Sequence, residues 1–262
     1  MEERKQKEIE FHNKRELLRF TDAAAYREIT QNKKFYSITR KSNHYLDGWF
    51  RKACPGKMFL DYCCGTGSFA LRAASYGATV AGIDISDESI RTCTVLAREN
   101  KLDDRASFFV MDAENLGFRD DSFDSIFCGG VLHHLDTNKA FLELSRLLQP
   151  TGEILCVEVL GYNPLINWYR KRTPHMRTEW EKDHILTLED IHIARNYFHE
   201  VELRFFHLAS LAAVPFRTYS FFSPLLSFLE GIDAVLLRLP FIQRQAWQMA
   251  FKLSKPRKVI AA

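Results

Sequence analysis

Three aspartates, Asp61, Asp84 and Asp112, each close a short apolar run, and two glycines, Gly65 and Gly67, follow the first of them in "FLDYCCGTGSFAL" (59–71). Gly65-Thr66-Gly67-Ser68-Phe69-Ala70 satisfies the template G-x-G-x-x-G/A, with Asp84 at a tolerable distance beyond. A dinucleotide is one ligand that such a turn holds, its pyrophosphate lying on bare backbone amides. The charge pattern opposes it. Asp61 stands directly before the loop, where a carboxylate would repel two phosphate charges at a cost of several kcal/mol if unrelieved.

A ligand without phosphate inverts that penalty. S-adenosylmethionine (SAM) carries an ammonium and a sulfonium, so an acid at Asp61 attracts it while the glycines still let backbone approach. Asp84 is then placed for the ribose hydroxyls. Asp112 can accept from the adenine amino group, with the Ala113 amide beside it. Three acids are more than a dinucleotide needs, and the pattern favours SAM.

Methyl transfer from a sulfonium is an in-line displacement, in which alignment contributes up to about 7–11 kcal/mol. A base helps only where the acceptor must lose a proton. His133, in "CGGVLHHL", is the candidate, since imidazole titrates near neutral pH; the alternative is a packing or capping role. His133 and His134 are expected to point two ways from a helix, so no metal site is expected there.

Alternating elements must position these residues. Strand-length runs "KMFLDYC", "TVAGIDIS", "ASFFVMDA", "FDSIFCG" and "GEILCVEV" are separated for the most part by helical stretches at about 68–76, 87–100 and 137–148. This order predicts an α/β fold, a doubly wound and mostly parallel sheet with right-handed crossovers, whose ligand sits past the carboxyl ends of the strands. "HEVELRFF" (199–206) and "AWQMAFKLSKP" (246–256) read as two further strands, seven in all. Before the sheet, 2–19 reads as an amphipathic helix with a sparse stripe of Ile9, Leu17, Leu18 and Phe20. A second helix covers about 41–53 and is stopped by Pro55-Gly56. The expected division is a helical lid over 1–55 and one domain over 56–262.

These motifs together resemble a class I SAM-dependent methyltransferase of the small-molecule type. "FLDYCCGTGSFAL" matches the first motif and "VAGIDIS", with Ile85 after Asp84, the acidic ribose loop. "VMDAENLGFRDDSFDSIFCGGVLHHLD" matches the adenine site and fourth strand, and "LLQPTGEILCVEV" the fifth. The resemblance implies a Rossmann-like fold, SAM as cofactor and S-adenosylhomocysteine (SAH) as product. It also implies that Gly129 meets the methionine ammonium through its backbone. Cys63 departs from it, standing where the family has the first glycine. The family's contact there is through backbone, so Cys63 is kept as a cofactor-binding position: a small side chain fits at a negative φ, whereas left-handed geometry would be strained. Tyr36 lies on the segment that in this family closes over the cofactor, and either touches the SAM carboxylate or orients the substrate, or is a lid aromatic packed on the sheet rim. Arg40 is read as solvated.

Composition bounds the rest. The chain has 262 residues, 46% hydrophobic and 26% charged, and its net charge of +3 is too weak to argue for nucleic acid. Asn163-Pro164 is not placed like the motif of base-amine methyltransferases. Six cysteines without a CxxC, and no leader-like opening, suggest a cytoplasmic protein with reduced thiols. The segment 163–180 clusters Arg170, Lys171, Arg172 and Arg177 around Trp168 and Tyr169. It is a solvated helix face, an anion-binding element or a membrane-headgroup contact. The apolar stretch 211–242 is interrupted by Pro224 and too short to span a bilayer. It suits a substrate tunnel, a homodimer interface or a peripheral membrane dock. The expected acceptor is small, hydrophobic or lipid-linked, with oxygen favoured by the resemblance. An RNA or protein methyltransferase and a nucleotide-dependent oxidoreductase are the alternatives.

Overall fold

A computed structural model describes residues 2–258 of the chain, so the outermost ends of the two expected units lie outside the described residues. Its centre is a seven-stranded sheet in the order β3-β2-β1-β4-β5-β7-β6. The strands are β1 (Met58–Tyr62), β2 (Thr79–Asp84), β3 (Ala106–Val110), β4 (Phe123–Gly129), β5 (Leu148–Val159), β6 (Phe198–Phe206) and β7 (Gln248–Pro256). The first five pair parallel, and β7 runs antiparallel to both β5 and β6.

Helices α1 (Glu3–Thr21), α2 (Ala23–Ile29) and α3 (Arg40–Ala53) precede the sheet, with a 3-10 segment at Gln31–Ile38. The crossover helices are α4 (Ser68–Ser75), α5 (Asp87–Glu99) and α6 (Thr137–Leu147). After β5 come α7 (Pro164–Arg172), α8 (Glu179–Asp183) and α9 (Leu188–Ala194), and between β6 and β7 lie α10 (Phe222–Leu236) and α11 (Pro240–Gln243). Local chemistry sets several starts. Ser86, Asp136 and Asn163 each accept backbone N–H groups at the first turn of α5, α6 and α7, and Pro164 opens α7. The central strands are continuously buried, as sheets covered on both faces require. Phe59, Phe127 and Leu155 pack under α3 and α4, while Leu60, Ile126 and Ile154 pack under α6 and α9.

One local expectation is corrected and one open alternative is decided. The inward face of α1 is charged: Glu8 and Glu16 are buried, whereas Leu17 and Phe20 are exposed. The helix packs on a polar site and therefore turns its polar side inward. Cys63 has a φ of +59°, so of the two alternatives it occupies the left-handed one. That geometry is costly for a residue with a Cβ. Among the described residues, no helix is long and apolar enough to cross a membrane.

Candidate active site

Because β1 to β4 run parallel and in register, their carboxyl ends meet at one crevice. A cavity of about 280 Å³ lies there, lined by Asp61, Cys63, Gly65, Asp84, Ile85, Asp112, Ala113 and Gly129 among others. Parallel pairing thus gathers eight of the predicted positions, which are scattered over 69 residues of sequence.

Each acid has a distinct setting. Asp61 is buried and accepts from the Ala70 amide at 2.8 Å, near the start of α4. Burial raises its carboxyl, the Ala70 bond opposes this and the Asp84 charge adds to it, so that it sits at about 7. Asp84 accepts from the amides of Gly65 and Ser86, both at 2.9 Å, and so ties the glycine turn to the end of β2. Asp112 lies two residues beyond β3, where one of its oxygens accepts from the Glu114 amide at 2.9 Å. The hydroxyl of Tyr62 donates to the Ala113 carbonyl at 2.6 Å and fixes that loop.

The glycines divide the work. Gly65 lines the cavity with a φ of +52° and open space where a Cβ would stand. Gly129 has no such space, because a Cβ would come within 2.7 Å of the Phe127 ring. Gly67 does not line the cavity. It caps α4 with a φ of +75°, and a Cβ there would meet the Cys93 sulfur at 2.9 Å. Its contribution is to the turn.

Helix α1 covers this cavity with charge. Lys5 pairs with Asp112 and Glu114, both at 2.8 Å, and Arg4 pairs with Glu114. Burial would raise the Glu114 carboxyl, but its bonds to Lys5, the Asp136 amide and Arg4 bring it down to about 2. Farther along, the Ser86 hydroxyl donates to Asn13 at 2.6 Å, and Asn13 donates to Asp87 at 2.8 Å. A helical lid over 1–55 was expected, but composition does not announce its charged contacts, because those residues are ordinary surface types at no fixed spacing.

A second cavity of about 230 Å³ adjoins the first, and the two share Arg15, Gly130 and His134. Phe35, Tyr36, Tyr169 and Trp247 supply its aromatic wall, with Arg170 and Arg177 at its edge. Tyr36 therefore lies in this chamber rather than in the strand-end cavity. Its ring meets Trp247, the residue before β7, edge-on at 5.6 Å. Arg40 is not merely solvated: it pairs with Glu230 on α10.

The two histidines also depart from expectation. Leu132–His134 is a 3-10 turn, and the rings lie side by side with centroids 4.3 Å apart. His133 Nδ1 meets Glu158 at 2.8 Å and its Nε2 lies 3.4 Å from Glu181. Burial alone would lower His133, but these carboxylates outweigh it and carry it up to about 9. Such an imidazolium has no free lone pair at neutral pH. His134 is opposite: burial, then the charge on His133, hold it below its ordinary value. Glu8 is held far below the usual carboxylate range by His12, His134 and Thr178 despite its burial. An ionised Glu8 only accepts, so His134 donates through Nδ1 at 3.1 Å and keeps its lone pair on Nε2, which lies 3.6 Å from Glu181.

Glu8, Glu158 and Glu181 were not legible as site residues, since nothing local in "EIEF", "CVEV" or "TEWEK" joins them to "LHHL". The neighbouring thiols are pushed well above the usual range, Cys63 chiefly by burial and Cys64 by its contact with Cys93 and then by burial, so both are poor nucleophiles.

Residues 60–156 match the family model described as a methyltransferase domain. Methyltransferase GfsG of Streptomyces halstedii is 34% identical over 107 residues, 40% of this chain and 38% of that protein. The demethylmenaquinone methyltransferase of Desulfitobacterium hafniense (strain Y51) is 30% identical over 156 residues, 53% of this chain and 60% of its own. The matches span at most 60% of the length of these two curated relatives. Among solved structures, phosphoethanolamine N-methyltransferase 2 of Haemonchus contortus, in complex with S-adenosyl-L-methionine, superposes with a TM-score of 0.61 at 22% identity. The match covers 91% of this chain and 59% of that one, and shows the shared fold.

Proposed function

We propose, for a chain that carries a class I SAM-dependent methyltransferase domain, transfer of the SAM methyl group to an oxygen of a small apolar or lipid-linked acceptor. One observation carries this: an acid-lined cavity at the strand ends opens beside an aromatic chamber, and His134 lines both. SAM lies in the first, with Asp84 on the ribose, Asp112 and Ala113 at the adenine, and Asp61 with the Gly129 backbone near the methionine ammonium. Gly65, Ile85 and the Cys63 backbone complete its walls. The family match also sets aside the dinucleotide-dependent oxidoreductase, whose pyrophosphate Asp61 would repel.

The acceptor occupies the chamber, its apolar body against Phe35, Tyr36 and Trp247. Arg170 and Arg177 pair with no carboxylate among the described side chains; their partners are backbone carbonyls and the Thr173 hydroxyl. Burial, with Arg177 nearby, pulls Arg170 down to about 10. Both arginines suit a polar or acidic group on the acceptor. The name of the Desulfitobacterium relative points to an apolar quinone acceptor, which fits such a chamber.

At the junction, His134 Nε2 takes the acceptor's proton as the methyl moves, and Glu8 stabilises the resulting imidazolium. His133, already charged, orients Glu158 and Glu181 instead. The amides of Val131 and Leu132 donate to Glu158 at 2.7 and 2.8 Å, which ties the turn to β5.

The test is labelled-methyl transfer from SAM into a cell extract, split into lipid and aqueous phases. Label is expected in the lipid phase. His134→Gln should lower turnover about 10²-fold or more with SAM affinity retained, whereas His133→Gln should act mainly through stability. Undiminished turnover in His134→Gln would remove the base from this scheme. Label only in RNA or protein would contradict the acceptor class.

A further inference from the structure

Helix α10 is folded with its polarity reversed. Between 207 and 246 the chain has two acids, Glu230 and Asp233, and both are buried, at 6% and 7% exposure. Glu230 receives Arg40. Asp233 accepts from the Leu208 amide at 3.2 Å, from the Ala209 amide and from the Ser210 hydroxyl at 2.6 Å. The helix therefore spends its carboxylates on holding itself to the body.

Its outward side carries Phe221, Phe228 and Val235, seven residues apart and so on one stripe. Phe228 is 68% exposed, and Phe241 on the adjoining α11 is 84% exposed. Phe216, Tyr219 and Phe221 form an exposed cluster with ring centroids 5.4–6.2 Å apart. The only full charges left exposed on the segment are Arg217, Arg238 and Arg244. An ordinary amphipathic helix hides its phenylalanines and shows its acids. This one does the reverse.

We infer that the face formed by α10, α11 and the 216–221 turn docks on an anionic lipid surface. A bilayer interface supplies what this face lacks: an apolar layer for exposed aromatic rings and a negative potential for three arginines. A second copy of the chain fits less well. A two-fold contact sets each patch against itself and would bring like charges together. The place of the face matters too. Beneath α10, Leu226 packs in a cluster with Trp247, Ile166 and Phe35, which also line the aromatic chamber. A lipid surface at α10 is thus one packed layer from the site assigned to the acceptor.

Vesicle co-sedimentation tests this without SAM or acceptor, so its outcome is separate from that of methyl transfer. Wild-type protein should sediment with phosphatidylcholine vesicles containing phosphatidylglycerol, less so as salt is raised, and weakly with phosphatidylcholine alone. Phe228→Glu with Phe241→Glu should weaken binding about tenfold or more while leaving the melting temperature unchanged. Arg217→Gln, Arg238→Gln and Arg244→Gln together should abolish the preference for the anionic lipid. Absence of vesicle binding, or binding untouched by both variants, would overturn the inference. So would self-association by light scattering that the phenylalanine variant abolishes in protein that ignores vesicles, since the occupant would then be a second copy.

Discussion

Asp61 shows how one residue sets fold and function against each other. Its carboxyl sits at about 7 in the folded protein, raised chiefly by burial, above the 3.8 of an unburied aspartate. For an acid raised in this way, the folded state binds the extra proton, so stability falls as pH rises from about 4 to 7. Asp61→Asn keeps an oxygen for the Ala70 amide and removes the buried charge. At pH 8 it should raise the stability of the ligand-free protein by about 1–3 kcal/mol in thermal or denaturant melts, and it should lose most of its SAM affinity. The same carboxyl makes binding pH-dependent. A cationic ligand favours the ionised form, so SAM affinity should weaken as pH falls below about 7, approaching tenfold per pH unit. A flat profile from pH 8 to 6 would separate Asp61 from the ammonium.

At the same scale, the backbone of Cys63 runs against its side chain. A left-handed φ of +59° is what the family's glycine would adopt freely. From sequence the position reads as a tolerable replacement at negative φ, because nothing in "DYCCGTG" states the backbone angle. His134 is the other residue that sequence could not single out. Both histidines stand in the same motif, and only the neighbours, Glu158 beside His133 and Glu8 beside His134 with Glu181 near both, give them opposite charge states.

Among the elements, the strands and crossover helices were legible because burial on both faces leaves unbroken apolar runs, and because caps such as Ser86, Asp136 and Asn163 mark the starts. Helix α1 was half legible. Its length followed from composition, but its inward face did not, since the partners that draw Arg4, Lys5 and Glu8 inward stand more than a hundred residues away. That cover has a kinetic consequence. Glu114 is nearly inaccessible, so its pairs with Arg4 and Lys5 hold more firmly than surface ion pairs. Arg4→Ala with Lys5→Ala should speed SAH release about tenfold in stopped-flow, with the sheet unchanged by circular dichroism. Release at the wild-type rate would mean that α1 does not gate the cavity.

For the molecule as a whole, the order of strands decides where chemistry can occur. Parallel β1 to β4 bring the acids to one rim, while β7, inserted antiparallel between β5 and β6, brings Trp247 to the neighbouring chamber and leaves α10 above it. The rim was readable from spacing and charge. The chamber was readable only in part: Tyr36 and the cluster of Tyr169, Arg170 and Arg177 stood out, whereas Phe35 and Trp247 join them only through tertiary packing.

Titration calorimetry of the wild-type chain and of Asp84→Ala with SAM and with NAD⁺ tests the central claim most directly. SAM should bind the wild type, Asp84→Ala should lose about tenfold or more of that affinity as a charge-assisted ribose contact is removed, and NAD⁺ should give no heat beyond dilution. Binding of NAD⁺ in place of SAM, or SAM affinity unchanged in Asp84→Ala, would contradict the assignment of the strand-end cavity to a phosphate-free, cationic methyl donor.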